Sequence, residues 1–127
     1  MAKVKLAVLV DSVIMIDHFN GIPAATQYLS QMQGKLAISV ITRAEVLTGF
    51  EGNDRQLARQ LLDRFETLII DRTIADLAAT LRRRNHWKIP DALQAALAKH
   101  HKLKLATRDM DDFPPKRHRF VVVPYSL

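Results

Sequence analysis

At 127 residues, with no internal repeat, low-complexity tract or interdomain linker, the chain is sized for one domain (1–127) with a real core. It contains no cysteine, which excludes disulfides and thiolate chemistry, and no apolar run of the ~18 residues that a membrane span needs. The net charge of +6 admits a polyanionic partner without requiring one.

The first strand-like segment lacks the layout of a signal peptide, and with cysteine absent the expected location is a reducing cytoplasm. Lys5 to Val10 reads as a short buried strand rich in Val and Leu. It ends at Asp11-Ser12, and a helix-like apolar segment follows to about Phe19. Pro23 suits the first turn of a helix running to about Gln33, which Gly34 ends. Lys35 to Ser39 is a second strand. Thr42 then reads as the N-cap of a helix, with Glu45 three residues on completing a capping box.

Asp54 is placed to cap a helix that carries Leu57, Leu61, Leu62 and Phe65 on one side. Thr67 to Ile70 is a third strand, and Thr73 caps a helix with Ile74, Leu77, Ala78 and Leu81 at helical spacing. Pro90 restarts a last helix with Leu93, Ala96 and Leu97 inward. Leu103 to Ala106 and Phe120 to Val123 are the final strands. Strands alternating with helices predict an α/β fold: a mostly parallel sheet of about five short strands, flanked by helices on both faces.

Charge is unevenly spread. Between Arg82 and Arg119 lie 11 of the 19 Lys and Arg residues, against four acids: Asp91, Asp109, Asp111 and Asp112. A solvated basic face accounts for this as well as a nucleic-acid track does.

The positions of the acids are more informative. Asp11 interrupts an apolar run at the carboxyl end of the first strand, where a buried unpaired charge is costly. Asp109 follows the fourth strand, Glu45 falls in the first turn of the helix after the second strand, and Asp91 sits beside Pro90 at a helix start. In an open α/β sheet ligands bind outside the carboxyl ends of the strands, so these four acids are placed to converge on one rim. Convergent carboxylates need a cation or a shared proton, and hard oxygen ligands favour Mg²⁺ or Mn²⁺. Such ions polarise phosphoryl oxygens and activate water, which makes phosphodiester hydrolysis the natural chemistry of an acidic site in a basic protein. Local roles compete: Glu45 fits a capping box, Asp91 suits a helix N-terminus, and Asp109, Asp111 and Asp112 suit a turn. Asp17 has no such partner set and reads as a surface carboxylate. Trp87, at a helix end, reads as a packing residue before a base-stacking one.

Four segments carry a family resemblance. Leu9-Val10-Asp11-Ser12-Val13-Ile14-Met15-Ile16 resembles the opening motif of PIN-domain nucleases, and Ser39-Val40-Ile41-Thr42-Arg43-Ala44-Glu45-Val46 their second. Ile89-Pro90-Asp91-Ala92-Leu93-Gln94-Ala95-Ala96 is similar to the third motif, and Leu105-Ala106-Thr107-Arg108-Asp109-Met110-Asp111-Asp112-Phe113 to the fourth. Each is degenerate alone, but all four occur in order across essentially the whole chain.

The size looks most like the VapC-type toxins of toxin–antitoxin pairs. The resemblance implies a Mg²⁺- or Mn²⁺-dependent ribonuclease, homodimeric and inhibited by a small VapB-type antitoxin protein. It makes Asp11, Glu45 and Asp91 core metal-binding acids, with Asp109 favoured as the fourth, Asp112 second, and Asp111 facing away. Ser12 and Thr107 match small hydroxyl positions that orient the site. Arg108 is the best-placed RNA-backbone contact, with Arg82, Arg83, Arg84 and Lys88 as a further track, and Tyr28, Leu29 and Met32 form a candidate dimer face. A housekeeping PIN nuclease and an inactive PIN-like binding module remain alternatives. A receiver-like phosphoacceptor domain, with Asp71 as the acceptor, is disfavoured because Asp11 is followed by Ser12 rather than a second acid.

Overall fold

The computed structural model describes residues 5–127. The elements, in order, are β1 (Val8–Val10), α1 (Ser12–Phe19), α2 (Pro23–Gln31), β2 (Leu36–Ser39), α3 (Val40–Thr48), α4 (Gly52–Leu62), β3 (Glu66–Leu68), α5 (Arg72–Asn85), α6 (Ile89–His100), β4 (Lys104–Ala106) and β5 (Val121–Val122). All strand pairs are parallel, and the sheet order is β3-β2-β1-β4-β5. Val8 pairs with Leu36 on one side and with Lys104 on the other, which makes β1 the central strand.

The two faces of the sheet carry separate cores, as the two-residue period of a strand requires. Val8, Val10, Leu36 and Ile38 pack with Ile14, Met15, Leu29, Val46 and Leu62 of α1 to α4. Leu9, Ala37, Leu68 and Leu105 pack with Ile74, Ala78 and Leu81 of α5 and with the alanine-rich inner face of α6. Ala92, Ala95, Ala96 and Ala98 are wholly buried, and their small side chains let α6 lie close on the sheet. The chain winds outward from β1 through β2 to β3 and then returns to place β4 on the other side of β1. The direction of winding reverses between β1 and β4, and there the carboxyl ends of the strands open a crevice.

The predicted elements are all present, but three helix caps differ from expectation. Ser39, not Thr42, caps α3, with its hydroxyl accepting from Thr42 N–H at 3.0 Å. Asp71, not Thr73, caps α5, accepting from Ile74 N–H at 2.9 Å, so the residue considered as a phosphoacceptor is a cap. α4 starts at Gly52 after Glu51, with Asp54 inside its first turn. In each case the helix starts earlier than the cap position expected from the sequence. Strand ends are also trimmed: β1 begins at Val8 rather than Lys5, and β3 stops at Leu68, leaving Ile69 exposed. On α2, Leu29 is buried in the core, while Tyr28 and Met32, the C-cap residue, pack against that core and stay partly exposed.

Candidate metal and nuclease site

Asp11 is the hinge between β1 and α1. Its backbone N–H donates to Ala106 O at 2.9 Å, joining the ends of the two strands that flank the crevice. Its side chain caps α1 by accepting Ser12 N–H at 2.9 Å on Oδ1, where Gln94 Nε2 also donates at 3.3 Å. On Oδ2 it accepts the Thr107 hydroxyl at 2.7 Å. The carboxylate is 8% exposed, and burial raises its pKa while these three donors hold it down.

A cavity of about 530 Å³ opens at this rim, lined by Asp11, Ser12, Val13, Glu45, Pro90, Asp91, Gln94, Arg108, Asp109, Met110 and Asp111. Four segments distant in sequence thus deliver the acids singled out above. The earlier start of α3 changes the standing of Glu45. With Ser39 as the cap, Glu45 lies in the second turn, outside a capping box, and its carboxylate lines the cavity. Its pKa is raised by burial and further by the Asp11 charge, with the Ser12 hydroxyl easing it.

Asp91, in the first turn of α6, meets the loop after β4. Carboxylate oxygens of Asp91, Asp109 and Asp112 lie within 4.8 Å of one another. Burial, followed by the charges of Asp112, Asp11 and Asp109, pushes the Asp91 carboxyl up to about 7. Asp112 is raised too, by burial and by Asp109, with Lys88 the cation that opposes this. Asp109 Oδ1 is engaged by the backbone N–H groups of Asp111 and Asp112, each at 3.2 Å. Asp111, expected to face away, is exposed and lines the cavity, but it is not part of the Asp91–Asp109–Asp112 carboxylate cluster.

These residues fit a hard divalent cation. Asp11, Glu45, Asp91, Asp109 and Asp111 share one cavity with a single cationic side chain, Arg108, whose charge is matched elsewhere. Oxygen donors at this spacing, whose charges push the Asp91 carboxyl up, are relieved by a 2+ ion. Gln94, 2% exposed, adds a second indication: its Oε1 is buried without a hydrogen-bond partner, an unmet polar atom on the cavity lining.

Residues 8–116 match the family described as PIN domain. The chain belongs to the PIN-domain family. It is 36% identical over 114 residues to Ribonuclease VapC10 of Mycobacterium tuberculosis (strain ATCC 25618 / H37Rv), covering 84% of this chain and 86% of that protein. Among solved structures it resembles a toxin-antitoxin complex from Klebsiella pneumoniae, with a TM-score of 0.88 and 36% identity over 95% of this chain and 100% of that one. It also resembles FitAcB from Neisseria gonorrhoeae in fold, with a TM-score of 0.77 and 24% identity over 94% and 99% of the two chains.

This PIN domain places its basic residues unequally. Arg82, Arg83 and Arg84 lie exposed on the last turn of α5 and line no part of the cavity. Lys88, the N-cap residue of α6, is near Asp112. Arg108 lines the cavity, yet its Nε and Nη2 are bound to Asp17 at 2.6 and 2.8 Å. Asp17 is therefore no surface carboxylate. It is 4% exposed, accepts a further bond from Tyr125 Oη at 2.7 Å, and its pKa is lowered chiefly by Arg108. Trp87 is a packing residue, 4% exposed against Phe113, and its Nε1 donates to Asp112 O at 2.7 Å.

The sequence alone assigns Gln94 no role of its own and Thr42 only that of a helix cap. Gln94 Nε2 donates to Thr42 Oγ1 at 2.9 Å, and Thr42 accepts a longer bond from Ser39 Oγ at 3.4 Å, so a buried polar chain runs from the α3 cap to Asp11. A signal for Gln94 was available: it is a polar residue one turn after Asp91, among alanines and leucines that form the inner face of α6.

Proposed function

We propose that this PIN domain is a Mg²⁺- or Mn²⁺-dependent endoribonuclease acting as the toxin of a VapBC-type toxin–antitoxin pair. The observation that carries the reading is the convergence of Asp11, Glu45, Asp91 and Asp109 from four segments on one cavity, beside an Asp91–Asp109–Asp112 cluster of suitable spacing. The 36% identity to a named ribonuclease over most of both chains supports RNA as substrate, and the similarity to a toxin-antitoxin complex supports a small antitoxin as partner.

Asp11, Glu45, Asp91 and Asp109, with Asp112 adjoining, would hold the ion. When bound, it supplies Lewis-acid polarisation of a phosphoryl oxygen and lowers the pKa of the attacking water. The chain's own residues supply placement. Thr107, Ser12 and Gln94 fix the Asp11 carboxylate in one orientation, so no reorganisation is needed when substrate arrives. Asp109 is held by the turn that its own Oδ1 caps. Arg108 at the cavity, with Lys88 and Arg82 to Arg84 farther out, steadies the RNA backbone, contacts that position without reading sequence.

The test is cleavage of RNA by the purified chain, free of antitoxin, with Mn²⁺ and with a chelator. Activity that needs the ion and disappears in Asp11→Asn and Asp91→Asn supports the reading, and equal cleavage by those variants sinks it. Co-purification of a small protein at fixed stoichiometry, and growth arrest on expression that Asp11→Asn abolishes, test the toxin assignment. Light scattering of the purified chain tests the homodimer.

A further inference from the structure

Arg108 has two kinds of neighbour. On one side lies Asp17, whose carboxylate takes three hydrogen bonds: Oδ2 accepts from Arg108 Nε and from the Tyr125 hydroxyl, and Oδ1 accepts from Arg108 Nη2. On the other side lies the cavity that Arg108 lines together with Asp11, Asp91 and Asp109. A guanidinium carries five N–H donors in a rigid plane. Asp17 occupies the edge formed by Nε and Nη2. The end edge, with one N–H each from Nη1 and Nη2, has no hydrogen-bond partner among the described residues. That edge matches two oxygens of a phosphate, the bidentate geometry in which Arg surpasses Lys.

The anchoring is built into the same two segments that make the metal site. Asp11 caps α1 and Asp17 lies on the same helix, while Thr107, Arg108 and Asp109 are consecutive after β4. Thr107 bonds Asp11 and Arg108 bonds Asp17, so the loop is riveted to α1 at two points. Tyr125, which follows β5, adds a third element to the clamp.

We propose that Arg108 orients a substrate phosphate over the carboxylates, and that Asp17 and Tyr125 are positioning residues that hold its guanidinium there. This rests on the nuclease reading above. A lock of purely structural purpose would need only the Asp17 pair. It would not need Arg108 to be a residue of the cavity lining with its Nη1 left without a hydrogen bond.

The experiment measures cleavage of a short single-stranded RNA carrying a fluorophore and quencher, at saturating Mn²⁺, with Asp11→Asn as the control for the nuclease reading itself. Arg108→Ala is expected to lower kcat/KM about 100-fold, the scale of losing one preorganised donor group. Arg108→Lys recovers little of this, because an ammonium lacks the planar fork. Asp17→Asn and Tyr125→Phe lower kcat/KM by about 10-fold and about 3-fold, with Mn²⁺ affinity unchanged within about 2-fold, because they act on orientation alone. The double variant Asp17→Asn/Arg108→Ala cuts no slower than Arg108→Ala, since a positioning residue has no effect once its target is gone.

A structural lock gives the contrary pattern: lower thermal stability, full turnover by the folded protein, and additive losses in the double variant. If Asp17→Asn fails to fold, Tyr125→Phe retains the ion pair and makes the same comparison. Parent-like cleavage by Arg108→Ala overturns the inference while an inactive Asp11→Asn leaves the nuclease reading standing. An inactive parent removes both.

Discussion

Thr107 donates its hydroxyl to Asp11 Oδ2 at 2.7 Å and accepts Asp109 N–H at 3.0 Å, so one buried side chain sets the distance between two of the site's acids. Thr107→Val keeps the shape and removes both bonds. We expect a stability loss of about 1–3 kcal/mol, the cost of leaving a buried acceptor unpaired. Mn²⁺ affinity should fall about 10-fold, as it does when a group orienting a ligand is lost. Thr107→Ser should recover most of both. Calorimetric titration and thermal melts of the three proteins check this.

The acid cluster predicts an unusual pH profile for the metal-free protein. Asp91 has a folded pKa of about 7 against an ordinary 3.8, so between those values the folded state binds more protons than the unfolded state. Stability then falls as pH rises from about 4 to about 7, with Asp11 and Glu45 acting in the same direction. Asp17 has the opposite sign: its lowered pKa stabilises the fold above 3.8, and that contribution is lost as pH drops through the folded value. Melts without metal should therefore peak on the acid side of neutrality. A flat profile from pH 4 to pH 7 would contradict the cluster's electrostatics.

Divalent cation should reverse the decline. Ion binding to the folded state alone adds about 2.7 kcal/mol at 100 times its Kd. The gain should be larger at pH 8 than at pH 5, because below about 7 the ion must displace the proton held at Asp91. Melts with Mg²⁺ and with a chelator at both pH values measure it.

Trp87 ties α6's approach to the acidic loop through Asp112 O and Phe113. Trp87→Phe keeps an aromatic ring but removes the N–H donor, which should cost about 1–3 kcal/mol with the carbonyl left unpaired. Amide hydrogen exchange should accelerate at residues 109–113 before it changes in the sheet. Uniform acceleration across the domain would mean that the bond does not hold the loop.

Ala95 is wholly buried where α6 lies on the sheet, so Ala95→Leu should cost about 1–3 kcal/mol through overpacking. Because α6 carries Asp91 and Gln94 into the cavity, Mn²⁺ affinity should fall along with the melting temperature. Unchanged affinity in a destabilised variant would show that the helix moves as a unit without disturbing the site.

Apolar runs broken by Gly, Pro and capping residues were enough to order the strands and helices, because those signals act over a few residues. They also placed Asp11, Asp91 and Asp109 at strand and helix ends, which in an α/β sheet meet at one rim, while Glu45 reaches the same cavity from the second turn of α3. Cap positions were less legible: several hydroxyls and carboxylates compete near each helix start, and backbone geometry selects Ser39 over Thr42 and Asp71 over Thr73.

Asp17 was out of reach altogether. Its local sequence matches a solvated helix residue, and what buries it is Arg108, 91 positions later, together with Tyr125, 108 positions later. Gln94 likewise acquires its role from Asp11 and Thr42, which sheet closure brings beside α6. The local pattern decides which residues stand at the ends of elements. Only the packing of distant segments decides which of those charges are paired, and which are left to share a cavity.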